Sequence, residues 1–263
     1  MLNKLIKYNL KWIYKNIVVF YILAIFFSIL TRIFFSIENS FIMDVIAKIC
    51  SGVTISMFFN IIINNLIRLW VHFKNNFYGD ESYLTHTLPI TKNTLYLSKF
   101  LTSMITLFTS ILVIGLTLFI AYYGKENIEL LKNILLPVAN LYNTKITIII
   151  IFFLFVFFLE IANAVQSGYT GIILGHKMNN NKTAYSILYG FIAYIVTQII
   201  VLLLTFIFAI FNKDLMNLFY TNEMINIETI KLVIYLAIFI YTFTLILGYI
   251  INNKLFNKGV NID

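Results

Sequence analysis

Charged side chains make up only 11% of this 263-residue sequence, which also contains two prolines, ten glycines and one cysteine. Soluble globular domains usually carry about 25% charged residues, so the composition excludes an ordinary soluble domain. The single Cys50 excludes an internal disulfide. Hydrophobic residues reach 60%, and the mean hydropathy is +0.89. This excess predicts a protein that is surrounded by a lipid bilayer.

Motifs of several enzyme classes are also missing. The only Gly-Lys pair, Gly124-Lys125, lacks the upstream glycine and the following Ser or Thr of a nucleotide-binding P-loop. The three histidines are far apart in sequence, and there is no His-Glu-x-x-His pair or Gly-x-Ser-x-Gly elbow. We therefore expect no catalytic residue, no metal site and no cofactor bound directly by this chain.

Six long apolar runs alternate with polar segments, and each could form a transmembrane helix of about 20 residues. The predicted spans are 17–36, 43–64, 99–122, 146–170, 184–211 and 231–252. Helices are expected because lipid-exposed backbone must satisfy its own hydrogen bonds, and no run shows strand alternation. The sequence thus predicts an all-α polytopic membrane protein with one transmembrane domain over residues 1–263.

The distribution of lysine and arginine predicts the orientation, because cytoplasmic segments carry an excess of both. The inner segments hold Lys4, Lys7, Lys11, Lys15, Arg68, Lys74, Lys92, Lys99, Lys177, Lys182, Lys254 and Lys258. The smaller outer set is Arg32, Lys48, Lys125, Lys132, Lys145, Lys213 and Lys231. Both termini are therefore expected to be cytoplasmic.

Residues 1–16 have the pattern of an amphipathic helix. Four lysines, at positions 4, 7, 11 and 15, share one helical face, and apolar residues occupy the opposite face. We interpret this segment as a helix that lies in the inner membrane interface. The alternative is a charged flank that only sets the orientation.

The longest inner segment is 65–98. One helical face carries Leu66, Leu69, Trp70, Phe73 and Phe77, and Gly79-Asp80-Glu81 and Pro89 then predict turns. Thr91 is a candidate N-cap for the third span. A long inner loop with an aromatic face suggests a docking surface; the alternative is that the second span simply continues to Phe77. The outer loops, 123–145 and 212–230, could each hold a short helix, with Pro137 interrupting the first.

Glu160 is the one ionisable residue predicted deep within a span, where a charge is costly. Together with Asn163 and Gln166 it forms a polar stripe. This stripe is either part of a substrate path or conformational lock, or a packing contact from Glu160 to Gln198 or Asn60.

Small residues follow on the same predicted helix. Ser167, Gly171 and Gly175 repeat every four positions, and Ala164 and Gly168 form a second pair. This spacing allows two helices to approach closely. We expect a packing seam, either within the chain or between two chains.

The string from Phe77 to Thr91, continued by Ser98-Lys99, resembles the inner loop of the membrane subunits of type-2 ABC transporters from Gram-positive bacteria. The matching positions are Gly79, Glu81, Tyr83, Leu84, Thr87, Leu88 and Pro89. Gly175-His176-Lys177 is a second, shorter similarity. The six spans and the N-terminal in-plane helix also match that layout, although the motifs themselves cover only a small part of the chain.

The resemblance implies a bacterial plasma-membrane permease that pairs with a second permease subunit, identical or different. A separate ATPase subunit would bind and hydrolyse ATP and would dock on the inner loop. The implied activity is export of an amphipathic cargo such as a peptide, lipid or drug; no nucleic acid is implied as a partner. Two other functions stay open from the residues: a non-transporting immunity or regulatory membrane protein, and an ion-coupled secondary transporter that depends on Glu160.

Overall fold

The computed structural model describes residues 1–37, 40–220 and 227–259. These residues form α-helices joined by turns, with no strand among them. The helices are α1 (Leu2–Phe35), α2 (Phe41–Phe77), α3 (Ser82–Thr87), α4 (Lys92–Tyr122), α5 (Lys125–Leu141), α6 (Ile146–Gly175), α7 (Lys182–Ile210), α8 (Lys213–Tyr220) and α9 (Ile227–Asn257).

Six of these helices are long and apolar enough to cross a membrane, namely α1, α2, α4, α6, α7 and α9. The prediction of an all-α chain with six helices able to span a membrane is therefore confirmed over the described residues. Several helices are much longer than the apolar runs that predicted them. A helix of 37 residues such as α2 measures about 55 Å, against a hydrocarbon core of about 30 Å. Its polar end must therefore continue beyond the hydrocarbon.

The predicted helix boundary at residue 16 is wrong, because α1 runs without interruption from Leu2 to Phe35. The apolar face of its first half is also less available to lipid than we predicted. Ile13 of that face is fully buried. Next to the lysine face, the Tyr14 hydroxyl lies 2.8 Å from Thr109 Oγ1 of α4. Part of the face that we assigned to lipid therefore packs against protein. Placement of residues 1–16 in the membrane interface stays a prediction.

In segment 65–98 the second span continues to Phe77, as in the simpler of our two interpretations. The predicted turn at Gly79-Asp80-Glu81 separates α2 from the short α3. Leu88, the residue before Pro89, is extended, as steric contact with a following proline ring favours. Thr91 does cap α4, since its hydroxyl accepts a hydrogen bond from the Thr94 amide.

Short helices occur in both predicted outer loops, α5 and α8. Pro137 lies inside α5, so the prediction that it interrupts this helix is wrong. Residues 221–226 of the second loop lie outside the described residues.

The chain divides into two compact units. The first comprises Met1–Phe73 and Pro89–Glu129, and within it α1 packs along α4. The second comprises Lys74–Leu88 and the chain from Leu130 onward. In this second unit α6 is central and packs on both α7 and α9.

Candidate functional site

The segment 74–88, called here the α3 corner, belongs to the second unit. The end of α2 is closed by hydrogen bonds from the Tyr78 and Gly79 amides to the Lys74 carbonyl. At Gly79 a β carbon would lie 3.2 Å from Asn75 Cα, so this close turn favours glycine. Asn76 Nδ2 donates to Glu81 Oε2 over 2.9 Å, which holds the start of α3 against the end of α2.

The outer surface of the α3 corner is apolar and exposed. Tyr83 is 65% exposed and Leu84 is 73% exposed, while Leu88 is exposed to a smaller extent. Thr87 is exposed as well, as is Pro89, which follows the corner in sequence and belongs to the first unit. Tyr83 and Leu84, called here the tip of the corner, therefore leave apolar surface that the rest of the described chain does not cover.

Aromatic ring contacts connect the α3 corner to α6 and α9. Phe77 is fully buried and packs on Phe256 of α9, with ring centroids 4.6 Å apart. Tyr78 is buried and stacks on His176, at the end of α6, with centroids 4.3 Å apart. Burial raises the pKa of the Tyr78 hydroxyl above its ordinary value. Each contact ties the corner to the end of a long helix.

A hydrogen bond to α7 completes this support, since Lys74 Nζ donates to Thr183 Oγ1 over 2.9 Å. The α3 corner is thus fixed to α6, α7 and α9 of its own unit. From the sequence, His176 is indicated only by the short Gly175-His176-Lys177 similarity, and Phe256 is not indicated at all. Neither residue carries a pattern that distinguishes it from an ordinary helix-end residue.

The aromatic face that we predicted as the docking surface is largely core. Phe73 and Phe77 are 0% exposed, and Phe73 packs edge-on against Tyr96 within the first unit. Trp70 is half-buried. The assignment of Phe73 and Phe77 to a contact surface is therefore wrong. A stripe of aromatic residues at helical spacing has the same appearance in sequence whether it faces a partner or its own neighbours.

A buried polar cluster lies in the first unit, which sequence reasoning did not predict. Lys99, counted above among the inner lysines, is only 3% exposed, and its Nζ donates to Asn9 Oδ1 over 2.9 Å. The same nitrogen lies 3.0 Å from His72 Nε2. The His72 ring stacks on Trp12, with centroids 4.4 Å apart. The cluster therefore joins α1, α2 and α4 through polar contacts.

The intramembrane polar stripe divides into two parts. The Tyr194 hydroxyl donates to Glu160 Oε1 over 3.4 Å, so the observed partner of Glu160 is neither of the two residues proposed from sequence. Asn163 Nδ2 donates to the Leu159 and Tyr241 carbonyls, and Gln166 Oε1 accepts from Asn252 Nδ2 over 2.8 Å. Asn163 and Gln166 therefore join α6 to α9, whereas Glu160 contacts α7.

The small residues of α6 lie against α7 of the same chain. A β carbon at Gly171 would overlap the backbone of Ser186 and Gly190, and one at Gly175 would overlap Ser186. Ser167 is buried beside this contact. Of the two alternatives for the seam, the structure has the one within the chain.

No group of three or more His, Cys, Asp or Glu side chains comes together as a metal site in the parts of the chain that the structure describes. No protein-family model, curated protein or solved structure matches this sequence. Function is therefore inferred from the residues and their geometry.

Proposed function

We propose that the protein is the membrane permease subunit of an ABC-type exporter in a bacterial plasma membrane. It would pair with a second permease subunit and move an amphipathic cargo, using ATP hydrolysed by a separate ATPase. The observation that carries this proposal is the α3 corner. It combines an exposed apolar tip with the string of residues that resembles the inner loop of such permeases.

The geometry of the corner suits a contact that transmits force. Tyr83 and Leu84 are large and exposed, and burying each against a partner would contribute about 1.5–3 kcal/mol. The residues beneath them are closely packed, and close-packed interiors transmit strain with little compression. A partner that moved the tip would thus also move the ends of α6 and α9, which contact Tyr78 and Phe77.

The first test is purification of the full chain from its native membrane in mild detergent. We expect a P-loop ATPase to co-purify in a fixed ratio. Replacing Tyr83 and Leu84 together by alanine should release the ATPase, because the exposed apolar contact is lost. The folded permease should persist, since both side chains lie outside the core.

A matched control is the pair Tyr123→Ala and Leu130→Ala, which are also exposed but lie in the predicted outer loop. This pair should retain the ATPase. Absence of any ATPase from intact, inserted protein would contradict the proposal and favour a non-transporting membrane protein. Equal loss in both double variants would contradict the assignment of the contact to the α3 corner.

A further inference from the structure

A groove of about 290 Å³ lies in the second unit, between α6, α7 and α9. Its floor is formed by α6, with Asn163, Gln166 and Thr170, and its walls include Val196 of α7 and Ile251 of α9. The volume is close to the lower end of the range for small-molecule sites, about 300–1,000 Å³. Both wall residues are themselves exposed, so the groove is open at its side rather than sealed.

The polar side chains of the floor are engaged within the protein. Asn163 donates to the Tyr241 carbonyl, and Thr170 Oγ1 donates to Asn252 Oδ1 over 2.7 Å. Gln166 Oε1 accepts from Asn252 as described above. The remaining lining is mostly aliphatic, as at Val196, Leu247 and Ile251. The chemistry of this surface therefore suits a hydrocarbon chain.

The length of the groove matches one leaflet of a bilayer. Its floor extends from Asn163 to Leu174 along α6, which at 1.5 Å per residue is about 16 Å. The hydrocarbon core of a bilayer is about 30 Å thick, so the groove spans about half of it. A single acyl chain of a lipid in one leaflet would run along this distance.

Three lysines follow the groove at the same end of the unit. Contacts of α6 with Ser186 and Asn252 show that the end of α6, the start of α7 and the end of α9 lie together. Lys177 comes three residues after Leu174 of the lining. Lys182 comes seven residues before Tyr189, and Lys254 comes three residues after Ile251.

Residues three, four or seven positions apart lie on the same face of a helix. Lys182 and Lys254 therefore continue the groove-lining sides of α7 and α9, and Lys177 lies in the turn after α6, where its amide donates to the Leu174 carbonyl. The stretches 174–194 and 244–259 contain no Asp or Glu. Asp80 and Glu81 of the same unit belong to the turn before α3, and Glu160 contacts Tyr194. An apolar channel followed by a positive end complements the tail and phosphate of an anionic lipid.

We propose that the α6/α7/α9 groove binds one acyl chain of an anionic phospholipid, whose phosphate is held by Lys177, Lys182 and Lys254. The orientation predicted from the charges places these lysines at the cytoplasmic leaflet, where anionic lipids attract basic segments. This proposal does not depend on the transport function, since a membrane protein of any activity could hold such a lipid.

The test is native mass spectrometry of the full chain in detergent, titrated with phosphatidylglycerol or phosphatidylcholine of equal chain length. The wild type should retain one phosphatidylglycerol more tightly than phosphatidylcholine. Replacing the three lysines by glutamine should remove this preference, at about fivefold per lysine. The matched control replaces Lys4, Lys7 and Lys11 of α1, which are exposed lysines of the same predicted side in the other unit.

A second set of variants tests the acyl-chain part of the proposal by filling the groove. Ala193→Phe, or the smaller Ala193→Leu, introduces a bulky side chain at a lining position of α7 and should weaken binding of both lipids. Ala184→Phe on the exposed surface of the same helix is the control. Equal loss in the α1 lysine control would show nonspecific attraction of anionic lipid and overturn the site. Unchanged binding in stable, monodisperse Ala193 variants would overturn the assignment of the chain to this groove.

Discussion

Replacing Gly171 by alanine tests the seam between α6 and α7 directly. A β carbon at this position would lie 2.5 Å from Gly190 Cα, whereas ordinary contact begins at 3.4 Å. The obstacle is backbone, which cannot rotate away, so the two helices must separate locally by at least about 0.9 Å. A radial gap of 0.5–1 Å forfeits about a quarter to a half of each dispersion contact.

The cost of such overpacking is typically about 1–3 kcal/mol. Because the obstacle here is backbone, the cost lies in the upper part of that range, about 2–3 kcal/mol. Alanine has a higher helix propensity than glycine, which recovers up to about 1 kcal/mol of this cost. We therefore expect Gly171→Ala to lower the free energy of unfolding by about 1–2 kcal/mol net of the helix-propensity gain. For a domain of 150–250 residues this corresponds to a fall in Tm of about 2–8 °C. Gly171→Leu should cost clearly more, because the whole side chain meets the same backbone.

The assay is fluorescence-detected size-exclusion chromatography after heating, in one detergent for all variants. Gly115→Ala is the matched control, because Gly115 is also helical and a β carbon there meets nothing within 4 Å. It should leave the Tm unchanged or raise it slightly, since only the helix propensity changes. An equal Tm for both alanine variants would refute the close approach at Gly171. A change in the monomer–dimer distribution with no change in Tm would instead point to a seam between chains.

Three further outcomes are expected. Tyr78→Phe should reduce the loss of stability at alkaline pH, because the raised pKa of the folded hydroxyl contributes to the free energy of unfolding fully below about pH 10 and progressively less as the pH rises above it. Unfolding by detergent from about pH 8 to 11 measures this effect, and parallel pH curves for variant and wild type would contradict it. His72→Ala should lower the free energy of unfolding by about 2–4 kcal/mol in the same titration, because it removes the stack on Trp12 and a partner of the buried Lys99. A decrease below about 1 kcal/mol would contradict this role of His72. Asn181, which precedes α7, has φ at +51°. Asn181→Gly should leave the Tm unchanged, whereas Asn181→Val should lower the Tm because a β-branched residue disfavours this conformation. Equal Tm values for the two variants would contradict this expectation.

The composition and the apolar runs determined the helical membrane architecture. Backbone groups in lipid must form hydrogen bonds within their own segment, so a long apolar run such as that of α6 is expected to form a helix. The cap at Thr91 and the turn at Gly79 were also predictable, because capping and tight turns depend on neighbours in sequence. The continuity of α1 past residue 16 and of α5 through Pro137 was not predictable, since no local signal fixes whether a helix continues past a change in polarity or a proline.

The tertiary structure alone decided which side of each helix is used. Phe73 and Phe77 were indistinguishable in sequence from an exposed aromatic stripe, and only the packing shows that they are buried while Tyr83 and Leu84 are exposed. Lys99 would have been assigned to solvent by its charge, yet it is buried beside His72 and Asn9. The physical reason is that hydropathy and periodicity report how apolar a face is. In a membrane protein both lipid and protein interior are apolar, so only the position of the neighbouring helices separates them.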